Sequence, residues 1–150
     1  LEAKMSLRIS KEFKFEAAHR LTFHKGGCRN VHGHSYKAKV HITGPKNKDG
    51  LVIDFGDLKF VQEWLDAHWD HAYIYYEGQD AVGTYLSAEG FKTFAFPREP
   101  TAEQMAEYLA EIVTQQLHLR DPSTLQTLHV EVTVWETVTS SATAFRATVA

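Results

Sequence analysis

Apolar and polar residues alternate strictly along the first part of the chain. Phe13, Phe15, Ala17 and His19 fall on one face and Glu12, Lys14 and Glu16 on the other, because successive strand side chains point to opposite sides. The alternation resumes at His32: His34, Tyr36, Ala38, Val40 and Ile42 share its face, opposite Gly33, Ser35, Lys37, Lys39 and His41. Two strands joined as a hairpin through a loop over 21–30 are predicted. Gly44-Pro45-Lys46-Asn47-Lys48-Asp49-Gly50 is a turn cluster without the residue order of a phosphate-binding P-loop. Asp54 or Asp57 can cap a helix over about 58–67, whose inward stripe is Leu58, Val61 and Leu65 with Trp64 alongside. Residues 69–96 are aromatic and interrupted by Gly78, Gly83 and Gly90, so they read as a long, partly structured connection.

Thr101 and Gln104 form a capping box for a second helix. Met105, Leu109, Ile112 and Val113 follow at helical spacing, and the helix should stop by 118–121, before Pro122. Strict alternation returns at Leu128, Val130, Val132 and Val134, predicting a third strand; Phe145, Ala147 and Val149 predict a fourth. The predicted order is ββααββ, an α+β chain. Glu136 continues the apolar parity of the third strand. Either the strand has emerged into solvent there, or a carboxylate ends a buried row, where it needs a partner.

Composition narrows the class. A chain of 150 residues with 43% hydrophobic content suits one domain with a real core, expected over 5–150. Leu1 to Lys4 precede Met5 and read as a remnant of expression. A net charge of −3 argues against a general nucleic-acid binder. No apolar run approaches the roughly 20 residues of a membrane helix and no secretory leader is evident. Cys28 is the only cysteine, so no internal disulfide can form. A soluble, cytoplasmic protein in a reducing compartment is expected.

The candidate chemistry lies at the ends of the two matched apolar rows. If the hairpin forms, His19 from one strand and His32 and His34 from the other converge on one point. Three neutral imidazoles leave a fourth position open on a tetrahedral zinc, the arrangement of catalytic sites, although imidazole also suits copper, iron and nickel. The remaining histidines outside 70–71 (His24, His41, His68, His118 and His129) read as surface or hydrogen-bonded residues. Cys28 lies four residues before His32, among Gly26, Gly27, Arg29 and Asn30. A free cysteine is commonly a small buried hydrophobe; this polar, glycine-rich setting favours a reactive thiol instead. A three-histidine zinc lyase of the carbonic anhydrase kind would leave Cys28 and Glu136 unexplained. A cupin-type dioxygenase would need a glutamate shortly after the second histidine, where Ala38 and Lys39 stand.

Taken in order, Phe15-Glu16-Ala17-Ala18-His19, Cys28-x3-His32-Gly33-His34-Ser35-Tyr36, Ile53-Asp54-Phe55-Gly56-Asp57-Leu58-Lys59, Asp70-His71, Pro100-Thr101-Ala102-Glu103 and Glu136-Thr137 resemble the 6-pyruvoyltetrahydropterin and 6-carboxytetrahydropterin synthase superfamily over nearly the whole chain. The resemblance implies the tunnelling fold, a four-stranded antiparallel sheet with two helices on one face, assembled through its sheet edges as a homohexamer. Ring closure of that kind removes exposed strand edges. It implies zinc held by His19, His32 and His34, catalytic Cys28, Asp70 and His71, and Glu136 anchoring the pterin ring. Thr101, Glu103 and Thr137 take support roles near the pterin, and the implied substrate is dihydroneopterin triphosphate. Lys25, Arg20 and Arg29 are candidates for the triphosphate. Adjacent residues on a regular helix do not face each other, so either the backbone is irregular at Asp70-His71 or His71 reaches Cys28 from a neighbouring subunit.

The three-residue gap before His32, and Ser35 after His34, resemble the carboxy branch, which acts toward queuosine and other deazapurines. That branch releases triphosphate and acetaldehyde and leaves 6-carboxytetrahydropterin. A 6-pyruvoyl product, or a homologue that binds zinc and pterin without turnover, is the alternative. Trp69-Asp70-His71-Ala72-Tyr73-Ile74 and the aromatic segment 78–96 depart from the family pattern.

Overall fold

A computed structural model of the protein describes residues 5–123 and 127–146. Strands β1 (Leu7–His19) and β2 (His32–Gly44) pair antiparallel with Ile9 opposite Ile42, Phe15 opposite Tyr36 and His19 opposite His32. The inward rows are those the alternation predicts: Phe13, Phe15, Ala17, Tyr36, Ala38, Val40 and Ile42 are all buried. Phe15 stacks on Tyr36 with ring centroids 4.8 Å apart. β5 (His129–Trp135) pairs antiparallel with β2, and β6 (Ser141–Arg146) with β5. The predicted final strand is therefore shifted. It starts at Ser141, Ala144 packs on the core, and Phe145 is 76% exposed; Ala147 and Val149, like residues 1–4, lie outside the described residues.

Asp54 accepts a hydrogen bond from the Gly56 N–H, and a short 3-10 turn leads into α1 (Lys59–His68). The Thr101 hydroxyl accepts from the Gln104 N–H at 3.2 Å and caps α3 (Ala102–Arg120), one half of the predicted capping box; the Thr101 N–H donates to the Glu99 carbonyl rather than to the Gln104 side chain. Leu58, Val61 and Leu65 join Met105, Leu109 and Val113 in one core against the inner face of the sheet.

The expected four strands and two helices in the order ββααββ are too few. Among the described residues the sheet has six strands, ordered β4-β3-β1-β2-β5-β6, and there are three α-helices. The segment read as a connection holds β3 (Ala72–Tyr76), α2 (Ala81–Ala88) and β4 (Thr93–Phe96). β3 runs parallel to both β1 and β4, so the sheet is mixed rather than antiparallel. Ala72, Tyr73, Ile74 and Tyr75 are all buried, and a strand covered on both faces shows no polar alternation. Ile74 faces the core. Tyr73 and Tyr75 face the other side, where α2 packs so closely that a Cβ on Gly83 would lie 2.0 Å from the Tyr75 ring. α1 and α3 thus share one face and α2 lies on the other. The exposed edges are β4 and β6. Among the described residues no helix is long and apolar enough to cross a membrane.

Candidate metal and acid-base site

The hairpin register brings His19 opposite His32, with His34 opposite Ala17, one step along the inner face. One ligand atom from each of the three histidines lies within 4.8 Å of those of the other two. Backbone carbonyls fix two of the rings. His19 Nδ1 is 2.8 Å from the Pro100 carbonyl and His32 Nδ1 is 2.6 Å from the Asn30 carbonyl. A carbonyl only accepts, so both Nδ1 atoms carry the proton and both Nε2 atoms present lone pairs. Those two Nε2 atoms are 3.1 Å apart, and Glu136 Oε1 is 3.1 Å from His19 Nε2. The His34 Nε2 is buried without a hydrogen-bond partner among the described residues, 3.5 Å from the same carboxylate oxygen. Acceptors so close repel unless a cation lies among them. The donor set therefore fits a metal ion, and the carbonyl contacts are the outer interactions that usually aim ligating imidazoles.

Glu136 reaches this point because β5 continues the register. Val134 pairs with Ala38 and Trp135 with Lys37, so the next inward position comes level with Tyr36, beside His34. The carboxylate is neither solvent-borne nor unpartnered: its side chain is 26% exposed. The nearness of the His19 ring, with His34 and His32 beside it, holds its pKa below the usual value against the effect of burial. Burial likewise lowers the His34 pKa, keeping that ring neutral. Tyr36, 1% exposed, places its hydroxyl 3.3 Å from His19 Nδ1, and burial pushes its pKa well up, so it stays protonated.

Asp70 and His71 form a second group. The backbone at this pair is irregular, the first of the two expected explanations: α1 ends at His68, and His71 is left-handed at φ 59°. A non-glycine residue held there costs about 1–3 kcal/mol. Glu16 holds it through both of its backbone groups, its carbonyl accepting from the His71 N–H at 2.6 Å and its N–H donating to Asp70 Oδ1 at 2.8 Å. Asp70 Oδ2 then meets His71 Nδ1 at 2.8 Å, fixing a ring that is itself exposed. His71 and His34 line one open cleft of about 560 Å³ with Gly33, Ser35, Leu86 and Phe91, a volume in the range of small-molecule sites.

The Glu16 N–H, ahead of His71 and Lys92, keeps the Asp70 pKa below 3.8. A carboxylate with a depressed folded-state pKa contributes stability above its unfolded pKa and loses it as the pH falls through the folded value. Asp70→Asn should therefore cost about 1–2 kcal/mol at pH 7. The difference from the parent should shrink as the pH falls below about 4, as read by urea unfolding at pH 7 and pH 3. A cost equal at both would remove the charge from the explanation.

Cys28 occupies a 3-10 turn, Gly27–Arg29, and is half-buried. It is not among the residues lining the cleft that holds His71. Lys25 and Arg29 are exposed, whereas Arg20 is committed to an ion pair with Asp80 at 2.9 Å. Thr101 is occupied in capping α3, Glu103 is exposed in the first turn of that helix, and Thr137 is exposed beyond β5. Sequence reasoning missed the carbonyls of Asn30 and Pro100, since a backbone acceptor carries no residue-type signal. It also missed Asp80, which lies in the segment read as a connection.

The sequence profile of the 6-pyruvoyl tetrahydropterin synthase family matches residues 8–147. The chain belongs to this family. It is an enzyme of the 6-carboxytetrahydropterin synthase-like kind. A 6-carboxy-5,6,7,8-tetrahydropterin synthase from Haemophilus influenzae is 38% identical over 141 residues, covering 89% of this chain and 94% of that protein. One from Aquifex aeolicus is 31% identical, covering 92% and 97%. Among solved structures, 6-pyruvoyl tetrahydropterin synthase from Plasmodium vivax superposes with a TM-score of 0.76 at 22% identity, covering 95% of this chain and 98% of that one. An uncharacterized protein from Wolinella succinogenes reaches 0.79 at 20%, covering 95% and 99%. These likenesses establish the tunnelling fold of the family, here with a six-stranded mixed sheet.

Proposed function

We propose that the chain converts dihydroneopterin triphosphate to 6-carboxytetrahydropterin, with release of triphosphate and acetaldehyde, in a zinc-dependent step toward queuosine and related deazapurines. The observation that carries this reading is the set of converging acceptors. Two imidazoles are pinned through Nδ1, a third has an Nε2 with no hydrogen-bond partner among the described residues, and the Glu136 carboxylate stands against them. The relatives named as carboxy-producing synthases support this branch over the pyruvoyl one.

His19, His32 and His34 hold the metal. Zinc bound there supplies a Lewis acid that makes protons beside coordinated hydroxyls more acidic. Cys28 accepts a proton from the substrate side chain as general base. Asp70 keeps the proton of His71 on Nδ1, leaving Nε2 facing the cleft to exchange a proton with the substrate side chain. Glu136, ionised, accepts hydrogen bonds from ring N–H groups of the pterin, with Thr101, Glu103 and Thr137 in support. Assembly as a homohexamer through the open β4 and β6 edges, in the cytoplasm, belongs to the same proposal.

The test is incubation of the zinc-loaded protein with dihydroneopterin triphosphate and mass spectrometry of the pterin products. A 6-carboxy product with acetaldehyde is expected. A 6-pyruvoyl product would move the chain to the other branch, and an unchanged substrate would leave a binding protein.

A further inference from the structure

Two carboxylates from the segments around β3 and β4 hold Arg20 and Thr22, just beyond β1. The Arg20 Nε donates to Asp80 Oδ1 at 2.9 Å, and another nitrogen of the same guanidinium donates to the Arg29 carbonyl at 3.3 Å. The Leu21 N–H donates to the Cys28 carbonyl at 2.8 Å. Glu99 accepts from the Thr22 N–H at 3.1 Å and from the Thr22 hydroxyl. The carbonyls of Cys28 itself and of Arg29 after it are thus held by the Arg20-Leu21 segment, and the side chain of Arg20 is aimed by Asp80.

Asp80 is unusual for a residue that caps an eight-residue helix. Its side chain is fully buried, and its oxygens accept from Arg20, from the Tyr73 hydroxyl at 2.7 Å and from the Val82 N–H at 3.0 Å. Capping α2 needs only a neutral oxygen, which asparagine supplies equally well. A buried charge is costly unless it is paired. Among the described residues the cation it pairs with is Arg20, whose planar fork reaches two separated acceptors from different nitrogens, where a lysine offers a single nitrogen.

We propose that Asp80 is a positioning residue for Cys28, acting through Arg20 to hold the Gly27–Arg29 turn against the end of β1. The inference rests on Cys28 being the reacting thiol, while the hold on the turn is measurable without turnover. It assigns the β3-α2-β4 unit a part in the site although its Asp80 is 52 positions from the cysteine in the chain.

Asp80→Asn retains the cap on α2 and removes the charge. Arg20→Lys retains the charge and loses the bridge, and it tests the same link if the buried variant fails to fold. Hydrogen exchange of the 21–31 peptide should accelerate about tenfold in either variant, with α2 and the β1-β2 hairpin unchanged. In turnover, kcat should fall about 10- to 100-fold with KM within about twofold, the signature of a misplaced reacting group. The double variant should be no worse than Asp80→Asn alone, because the two residues act as one link. Unchanged exchange at 21–31 in both single variants, acceleration confined to α2, or effects that add in the double variant would each overturn the proposal. Should the parent protein show no turnover, the functional reading fails, and the exchange measurements still decide this one.

Discussion

Cys28→Ala should lower turnover of the pterin substrate by about 10³-fold, within the 10²–10⁴ that a positioned acid or base typically contributes, while zinc content and pterin binding stay at parent levels. The separation is expected because the bonds that hold the turn and aim the histidines are made by backbone groups, which alanine at position 28 retains. Cys28 sits on a turn fastened by its own backbone, its carbonyl taking the Leu21 N–H, and alanine leaves that bond in place. The imidazoles are aimed by the carbonyls of Pro100 and Asn30, which the substitution does not touch. Glu136 directly follows β5, a separate strand. A loss of turnover accompanied by loss of zinc would mean that the turn supports the metal rather than the reaction. Full activity in the variant would rule out the thiol base. Because the chain has a single cysteine, alkylating the parent protein with iodoacetamide gives the same test without mutation.

The histidine convergence was legible in the sequence because a hairpin has few degrees of freedom. Once Phe13, Phe15, Ala17 and His19 share a parity with His34, Tyr36, Ala38 and Val40, any register that buries both rows brings the histidines to one end. The capping of α3 was legible for a similar reason, since Thr101 and Gln104 specify a local hydrogen bond. The β3-α2-β4 segment was not. β3 is buried on both faces and lacks the alternation that marks β1 and β5, and α2 is eight residues long with a glycine at its contact with Tyr75. Its aromatic and β-branched run Tyr73-Ile74-Tyr75 was the available strand signal. Glu136 was half-legible: parity placed it on the inner face, but only the pairing of β5 with β2 shows that the position opens on histidines rather than on water. The Asp70-His71 geometry depends on one left-handed residue held by Glu16, and no spacing rule predicts a side-chain contact between neighbours.

His32→Ala should reduce bound zinc from about one equivalent to near none after dialysis, and turnover with it. Substituting a residue that merely aims a metal ligand typically costs about 10–100-fold in affinity; removing a ligand from a three-imidazole set should cost more. His32 is the informative position because it is only partly buried, whereas His19 is 1% exposed and tied to Pro100. An alanine at position 19 would open a cavity and orphan a carbonyl, mixing folding with binding. With His32 gone, the 3.1 Å contact between two lone pairs disappears. The metal-free fold should then be no less stable than the metal-free parent, even as the zinc-loaded state loses its stabilisation by mass action. Thermal unfolding with and without a chelator reads this directly: the parent should lose stability on chelation and the variant should not change. Zinc retained at the parent level would mean that the ion is held elsewhere and that the three rings are only packed against one another beside Glu136. That result would remove the Lewis acid from the proposed reaction.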